Sequence, residues 1–277
     1  MVNQEESARR YYYRFTPGKR MLHGVLFSTF LGLALTGLTL RFSYTGWAKG
    51  FSHAVGGFGA ILFFHKTFGV LLTAAFLIHV ARVLRMAFIE RKFGILWGPE
   101  SLVPQPRDFR DLFAHFRWFF GLGPKPRFDR FAYWEKFDYW AVFWGMAVIG
   151  LSGYSMWFAP FVAKFIPGSW FNVALLLHGD EALLAVWFIF TIHFFNTHLR
   201  PGSFPMDTVI FTGRQTGKEL AEKHPAEYER LVERGTLEAV RAEEPQRWFL
   251  VFGRVVGFAA IATGFVLLLL TLYSFLQ

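Results

Sequence analysis

Nine histidines are spread along the 277 residues, and four of them form two pairs at helical spacing. His65 and His79 are 14 positions apart, which puts them about 40° apart in azimuth and about 21 Å apart along one helix. His178 and His193, 15 positions apart, differ by about 60° and about 22 Å. If their two helices run in the same direction, His65 meets His178 at one level and His79 meets His193 at the other. Two imidazoles facing each other at one depth are the axial ligand set of a b-type haem iron, which then passes electrons without binding a small ligand. A zinc or di-iron site calls for clustered carboxylates or histidines one turn apart, and the sequence contains no HxxxH, HxxHH or HExxH run.

Two further histidines crowd the second level. His23 opens an apolar stretch, and His198 follows His193 by five residues, rotated about 140° from it. Each reads as an iron ligand, an interfacial residue or part of a quinone site. With His23, His79, His193 and His198 all ligating, that level holds two haems and the chain three; otherwise it holds two in all. His53 and His115 fall in connecting segments and His224 in a charged helix, so these three read as structural or solvated. A flat macrocycle also needs space beside its ligands. Gly69 lies one turn after His65 on the same face, and Gly32, Gly37, Gly145, Gly150 and Gly153 thin the other helices. Ordinary helix contact explains these glycines equally well.

The elements that must carry these residues are apolar and long. Hydrophobic residues make up 53% of the chain, and five stretches reach the roughly 20 residues needed to cross a bilayer. They are about 21–42, 57–88, 137–158, 173–199 and 249–275. The composition predicts an all-α integral membrane protein, with a four-helix haem-binding bundle and a fifth, C-terminal transmembrane helix. The first stretch is too long for a signal-peptide core and lacks a small-residue cleavage site, so it is expected to be retained.

The net charge of +9 does not point to nucleic acid, because 25 of the 29 Lys and Arg precede the first stretch or lie between the second and third and between the fourth and fifth, with Arg82, Arg85 and Arg254 at the stretch ends assigned to these segments. The rest are Arg41, Lys49, Lys66 and Lys164. By the positive-inside rule the N-terminus is cytoplasmic and, with five spans, the C-terminus is outside, in a bacterial-type inner membrane. The absence of cysteine excludes iron–sulfur clusters, covalent c-type haem and thiolate zinc.

Residues 1–200 thus read as a b-type cytochrome domain, 201–247 as a cytoplasmic segment and 248–277 as the last span. Prolines break residues 90–136 into turns with one surface helix around 109–120, a lid over the bundle. Residues 217–242 read as a single charged helix with a sparse apolar stripe.

The chain resembles the cytochrome b (gamma) subunit of membrane-bound formate dehydrogenases, in a wider group with hydrogenase and thiosulfate reductase b-type cytochromes. The resemblance covers about the first 240 residues. It rests on Arg20-Met-Leu-His23 with Leu35-Thr-Gly-Leu38, His65 with Phe68-Gly69, and Gly150-Leu-Ser-Gly153 with Trp157-Phe-Ala-Pro160. Leu176-Leu-His178, Ile192-His193 and Ala221-Glu-Lys-His-Pro225 continue it. It implies that His65 and His178 ligate an outer haem and that His23 and His193 ligate an inner one. His79, His198 and the fifth span depart from the family pattern. The spacing in the second and fourth helices is instead similar to the cytochrome b of quinol–cytochrome c complexes.

The function expected is a membrane-anchoring electron-transfer subunit, not itself catalytic toward a primary substrate. It links a periplasmic redox subunit, an iron–sulfur protein or a multihaem c-type cytochrome, to quinone or menaquinone. One alternative runs the electrons from quinol outward to a multihaem cytochrome; another, from a different class, is a histidine-lined transporter or proton channel. For quinone the candidates are His23, Asn196, Asp138 and Glu135, with helix capping as the competing role of the carboxylates. Arg41 and Lys66 outside, and Arg82 and Arg200 inside, are candidates to pair with haem propionates or else snorkel.

Overall fold

The computed structural model describes residues 8–277, nearly all of whose regular structure is helical. Four helical runs are long and apolar enough to cross a membrane: Pro17–Arg41, Phe58–Ile89, Ser169–Leu199 and Arg247–Phe275. The first is α1. The second consists of α3 (Phe58–Leu84) closed by a π turn, Arg85–Ile89, and a short helix α2 (Gly46–Val55) fills the loop before it. The third is α7 (Ser169–Phe188) followed by π turns at Ile189–His193 and Phe195–Leu199, and the last is α10. The architecture is that of a multi-pass helical membrane protein.

The stretch expected at 137–158 is helical but is not among those four. It runs as α5 (Tyr133–Gly145), a π turn at Met146–Gly150 and α6 (Leu151–Trp157). Trp134, Tyr139, Trp140, Trp144, Tyr154 and Trp157, together with three glycines, dilute its aliphatic content. Such residues favour the ends of a span and close helix contacts over hydrocarbon.

The described residues divide into two compact units, one comprising residues through Arg20, His79–Trp140 and Thr208–Gly253, the other Met21–Ile78, Ala141–Asp207 and Arg254–Gln277. The second unit is a helical bundle. Its buried centre is Ala34, Leu38, Phe42, Val186, Phe190 and Leu267. Gly264 lets α10 approach Phe190 closely, since an added Cβ would stand 2.5 Å from that ring. Most remaining large apolar side chains on α3, such as Phe63 and Leu77, are exposed, as lipid-facing residues must be.

The first unit carries a small sheet that no local sequence pattern announces. β1 (Tyr11–Tyr13) pairs antiparallel with β2 (Arg214–Thr216) on one side and β3 (Arg241–Ala242) on the other. Gly213 makes the turn into β2 with φ +74°, and its carbonyl accepts from the amides of Arg14 and Phe15. An added Cβ there would lie 2.5 Å from the Phe15 carbonyl, so only glycine fits. The expected single helix over 217–242 is two, α8 (Gly217–Lys223) and α9 (Pro225–Glu233), because Pro225 lacks the amide to continue α8 and starts α9 instead. Thr216 and Glu219 cap α8 reciprocally.

Ion pairs join these pieces. Arg14 Nη1 lies 2.8 Å from Glu227 Oε2, and both side chains are 3% exposed. Arg130 binds the other Glu227 oxygen and donates 2.7 Å to the Arg14 carbonyl. Burial holds the Arg14 guanidinium below the ordinary arginine range, opposed by the Glu135 and Glu227 carboxylates. His224 Nδ1 donates to the Asp129 carbonyl at 2.7 Å, and Arg230 pairs with the Asp129 side chain.

The lid segment contains α4 (Pro106–Phe119), close to the helix expected at 109–120. His115 therefore sits on a helix and not in a loop, buried between Trp118, Phe119 and Phe128 and bonded to the Tyr133 hydroxyl at 3.1 Å. His53 is likewise helical, exposed on α2.

Candidate functional site

The bundle brings His65 of α3 and His178 of α7 face to face. Their ring centroids are 6.1 Å apart with planes crossing at 78°. Two imidazoles bonded to opposite sides of one metal ion at about 2.0 Å would place their centroids roughly 6 Å apart. The spacing fits two axial ligands.

Hydrogen bonds fix which nitrogen each ring offers. His178 Nδ1 lies 2.9 Å from the Ile149 carbonyl, which can only accept, so Nδ1 carries the proton. His65 Nδ1 lies 2.9 Å from Thr36 Oγ1, whose own proton goes to the Gly32 carbonyl at 2.6 Å, so Thr36 accepts and Nδ1 is again the donor. Both Nε2 lone pairs are thereby left for a metal, in the arrangement by which a backbone or side-chain acceptor orients a ligating histidine. Ile149 belongs to the π turn Met146–Gly150, a local widening of the kind that recurs at functional sites.

Two glycines make room for the rings. A Cβ on Gly153 would stand 2.8 Å from His178 Cε1, and one on Gly37 would stand 3.2 Å from His65 Cε1. Gly69, one turn beyond His65, faces open space. Gly32 instead serves helix contact against Phe68, and Gly145 and Gly150 meet only their own helix. The cations near this level have protein partners: Arg41 pairs with Asp180 at 2.7 Å, and Lys66 lies 4.9 Å from the Trp157 ring centroid.

In the same bundle, His23, His193 and His198 are all half-buried, and His23 is within electrostatic range of both others. The Phe194 ring centroid lies 6.2 Å from each of the His193 and His198 rings. Asn196 is half-buried on the π turn Phe195–Leu199.

His79 belongs to the other compact unit. Its Nε2 lies 2.9 Å from the Tyr139 hydroxyl, with Lys19 and Arg82 as its charged neighbours. The nitrogen that His65 and His178 leave open is the one His79 commits. Glu135 accepts from the Ala132 amide at 2.8 Å and reaches Arg14 at 3.5 Å, so it caps α5. Asp138 is half-buried one turn further on. Among the described residues no cluster of three or more His, Asp or Glu side chains is placed to hold a metal ion. A cavity of about 180 Å³ beside α4 is lined by charges that satisfy one another, Asp108 with Lys136 at 2.9 Å and Arg107 with Asp129 at 3.3 Å.

Thr36, the Ile149 carbonyl and Tyr139 escaped the sequence reading. A threonine inside an apolar helix was the available signal for the first, since such hydroxyls bond across helices. A backbone carbonyl leaves none. No protein-family model matches the chain, and no curated protein matches it either.

Proposed function

We propose that the protein is a b-type cytochrome subunit that carries electrons across the membrane between a redox partner on its outer face and a quinone at its cytoplasmic end. The observation that carries this reading is the His65–His178 pair, ring centroids 6.1 Å apart, with the Nδ1 of each committed to a hydrogen bond. A haem held there supplies one-electron transfer through an iron closed to small ligands. The chain's own contribution is to fix both tautomers through Thr36 and Ile149, and to admit the rings beside Gly37 and Gly153. The second haem is assigned to His193 with His23, the pairing that the resemblance implies, and the two histidines lie in one compact unit. His79 is assigned elsewhere because of Tyr139. The partner is an iron–sulfur protein or a multihaem cytochrome, and quinone or menaquinone exchanges electrons near His23.

The run Tyr133–Trp157 is the fifth span in this reading. It packs along two others, with Phe143 5.0 Å from Phe76, the Tyr154 hydroxyl 2.9 Å from Thr73, and Gly153 against His178. With a cytoplasmic N-terminus, five spans put the C-terminus outside, in an inner membrane of bacterial type.

A reduced-minus-oxidised spectrum with haem quantification on the purified chain tests the proposal. Two b-type haems per chain are expected. A colourless protein would overturn it and favour the histidine-lined channel or transporter.

A further inference from the structure

The helix α4 leaves an aromatic face uncovered. Phe109, Phe113, Phe116 and Phe120 recur at i, i+4, i+7 and i+11, within about 60° of one direction. They are 63%, 66%, 54% and 76% exposed. Arg110 and Arg117, also exposed, border this stripe on one side. The opposite face is fixed by its own contacts: Asp108 pairs with Lys136 at 2.9 Å and His115 is buried among aromatic rings. The acidic residues of the helix are thus directed away from the stripe or neutralised, Asp111 by Arg107 at 3.6 Å. What remains outward is apolar and cationic.

The chain ties this helix closely to the ends of two others. Residues 90–105 join it to the end of one membrane-length helix and residues 120–132 to the start of α5. The Asp108–Lys136 pair ties it to the first turn of α5, and Trp140 Nε1 donates 3.1 Å to the Leu102 carbonyl in the preceding segment. Phe93 and Trp97, just upstream, are exposed as well. An apolar stripe edged by arginine suits the headgroup and upper acyl region of a leaflet carrying negative charge.

We propose that α4 is an interfacial anchor whose phenylalanines enter the cytoplasmic leaflet while Arg110 and Arg117 bind the phosphates of anionic phospholipids. The inference is independent of the cofactor. It rests on the membrane orientation proposed above, and it makes residues 90–136 a lipid-bound collar and not a lid in water.

The absence of cysteine allows single labels in the full-length chain. Phe113→Cys and Phe116→Cys would each carry a nitroxide, with Glu233→Cys, exposed at the end of α9, as the water reference. The labelled proteins are reconstituted into vesicles of phosphatidylcholine with or without phosphatidylglycerol. Collision with oxygen is then compared with collision with a nickel chelate. Expected at both α4 positions is a membrane-like oxygen preference in phosphatidylglycerol vesicles, which weakens in pure phosphatidylcholine and in the Arg110→Gln, Arg117→Gln background. Nickel access equal to that at Glu233→Cys would overturn the proposal. Shielding from both reagents, as in contact with a protein or a second copy, would also overturn it, as would a depth indifferent to headgroup charge.

Discussion

Oγ1 of Thr36 lies 2.9 Å from Nδ1 of His65 while donating its own proton to the Gly32 carbonyl. The threonine is therefore an acceptor held in place by its own helix, and it sets the tautomer of a ring on a neighbouring one. Thr36→Val keeps the shape and removes the acceptor. Outer-haem retention should fall on the order of tenfold, as for other partners that orient a ligating histidine. Haem content after detergent exchange measures this, and unchanged retention would separate Thr36 from ligand orientation.

Gly153→Ala should be far worse than its chemistry suggests. Alanine favours a helix interior over glycine by about 1 kcal/mol, yet here its methyl would meet the His178 ring at 2.8 Å. The ring bonds Ile149 on the same helical run, so it cannot retreat without losing that bond. We expect loss of the outer haem with the protein still folded. Gly59→Ala on α3, whose added methyl meets nothing within 4 Å, should leave the spectrum unchanged.

Glu227→Gln tests the ionic core of the first unit. The carboxylate pairs with Arg14 and Arg130 together, and the glutamine would take this buried counter-charge from both, leaving Arg14 the longer 3.5 Å contact to Glu135. Breaking a buried pair in this way costs about 3 kcal/mol or more. The exposed Lys218–Glu222 pair, 3.9 Å apart, contributes little, so Glu222→Gln should not move the thermal midpoint while Glu227→Gln lowers it clearly.

The long aliphatic helices and the His65–His178 meeting were legible because hydropathy and a 100° repeat are local properties. Less legible was the run around Met146–Gly150, where tryptophan, tyrosine and glycine suppress the hydropathy and a π turn depends on what packs there. The sheet joins strands of two or three residues separated by some 200 positions, so no local pattern announces it. The pairing at the second histidine level was left open for a similar reason. Spacing gives the azimuth and depth of His79, but only the tertiary contact with Tyr139 reveals which nitrogen is engaged.

If Tyr133–Trp157 crosses as proposed, the two ends of the chain lie on opposite sides. A reporter that is active only outside the cytoplasm should be active when fused after Gln277 and silent at the N-terminus. Activity on the same side at both ends would mean that Tyr133–Trp157 does not cross.

The histidine left out of the ligand set makes the sharpest test of the inner centre. Helix geometry favours His79 as the partner of His193, the resemblance favours His23, and a third haem would give the displaced histidine His198 as its partner. His79 Nε2 is 2.9 Å from the Tyr139 hydroxyl, whereas the outer ligands spend Nδ1 and keep Nε2 open, so ligation through that atom would first break the bond to Tyr139. His23 shares a compact unit with His193, and the resemblance pairs the two. His79→Phe should therefore retain two haems per chain, while His23→Ala and His193→Ala should each retain one, the outer. Haem quantification on the three variants is decisive: a wild-type ratio of three, or loss of a haem from His79→Phe with His23→Ala intact, would return His79 to the iron.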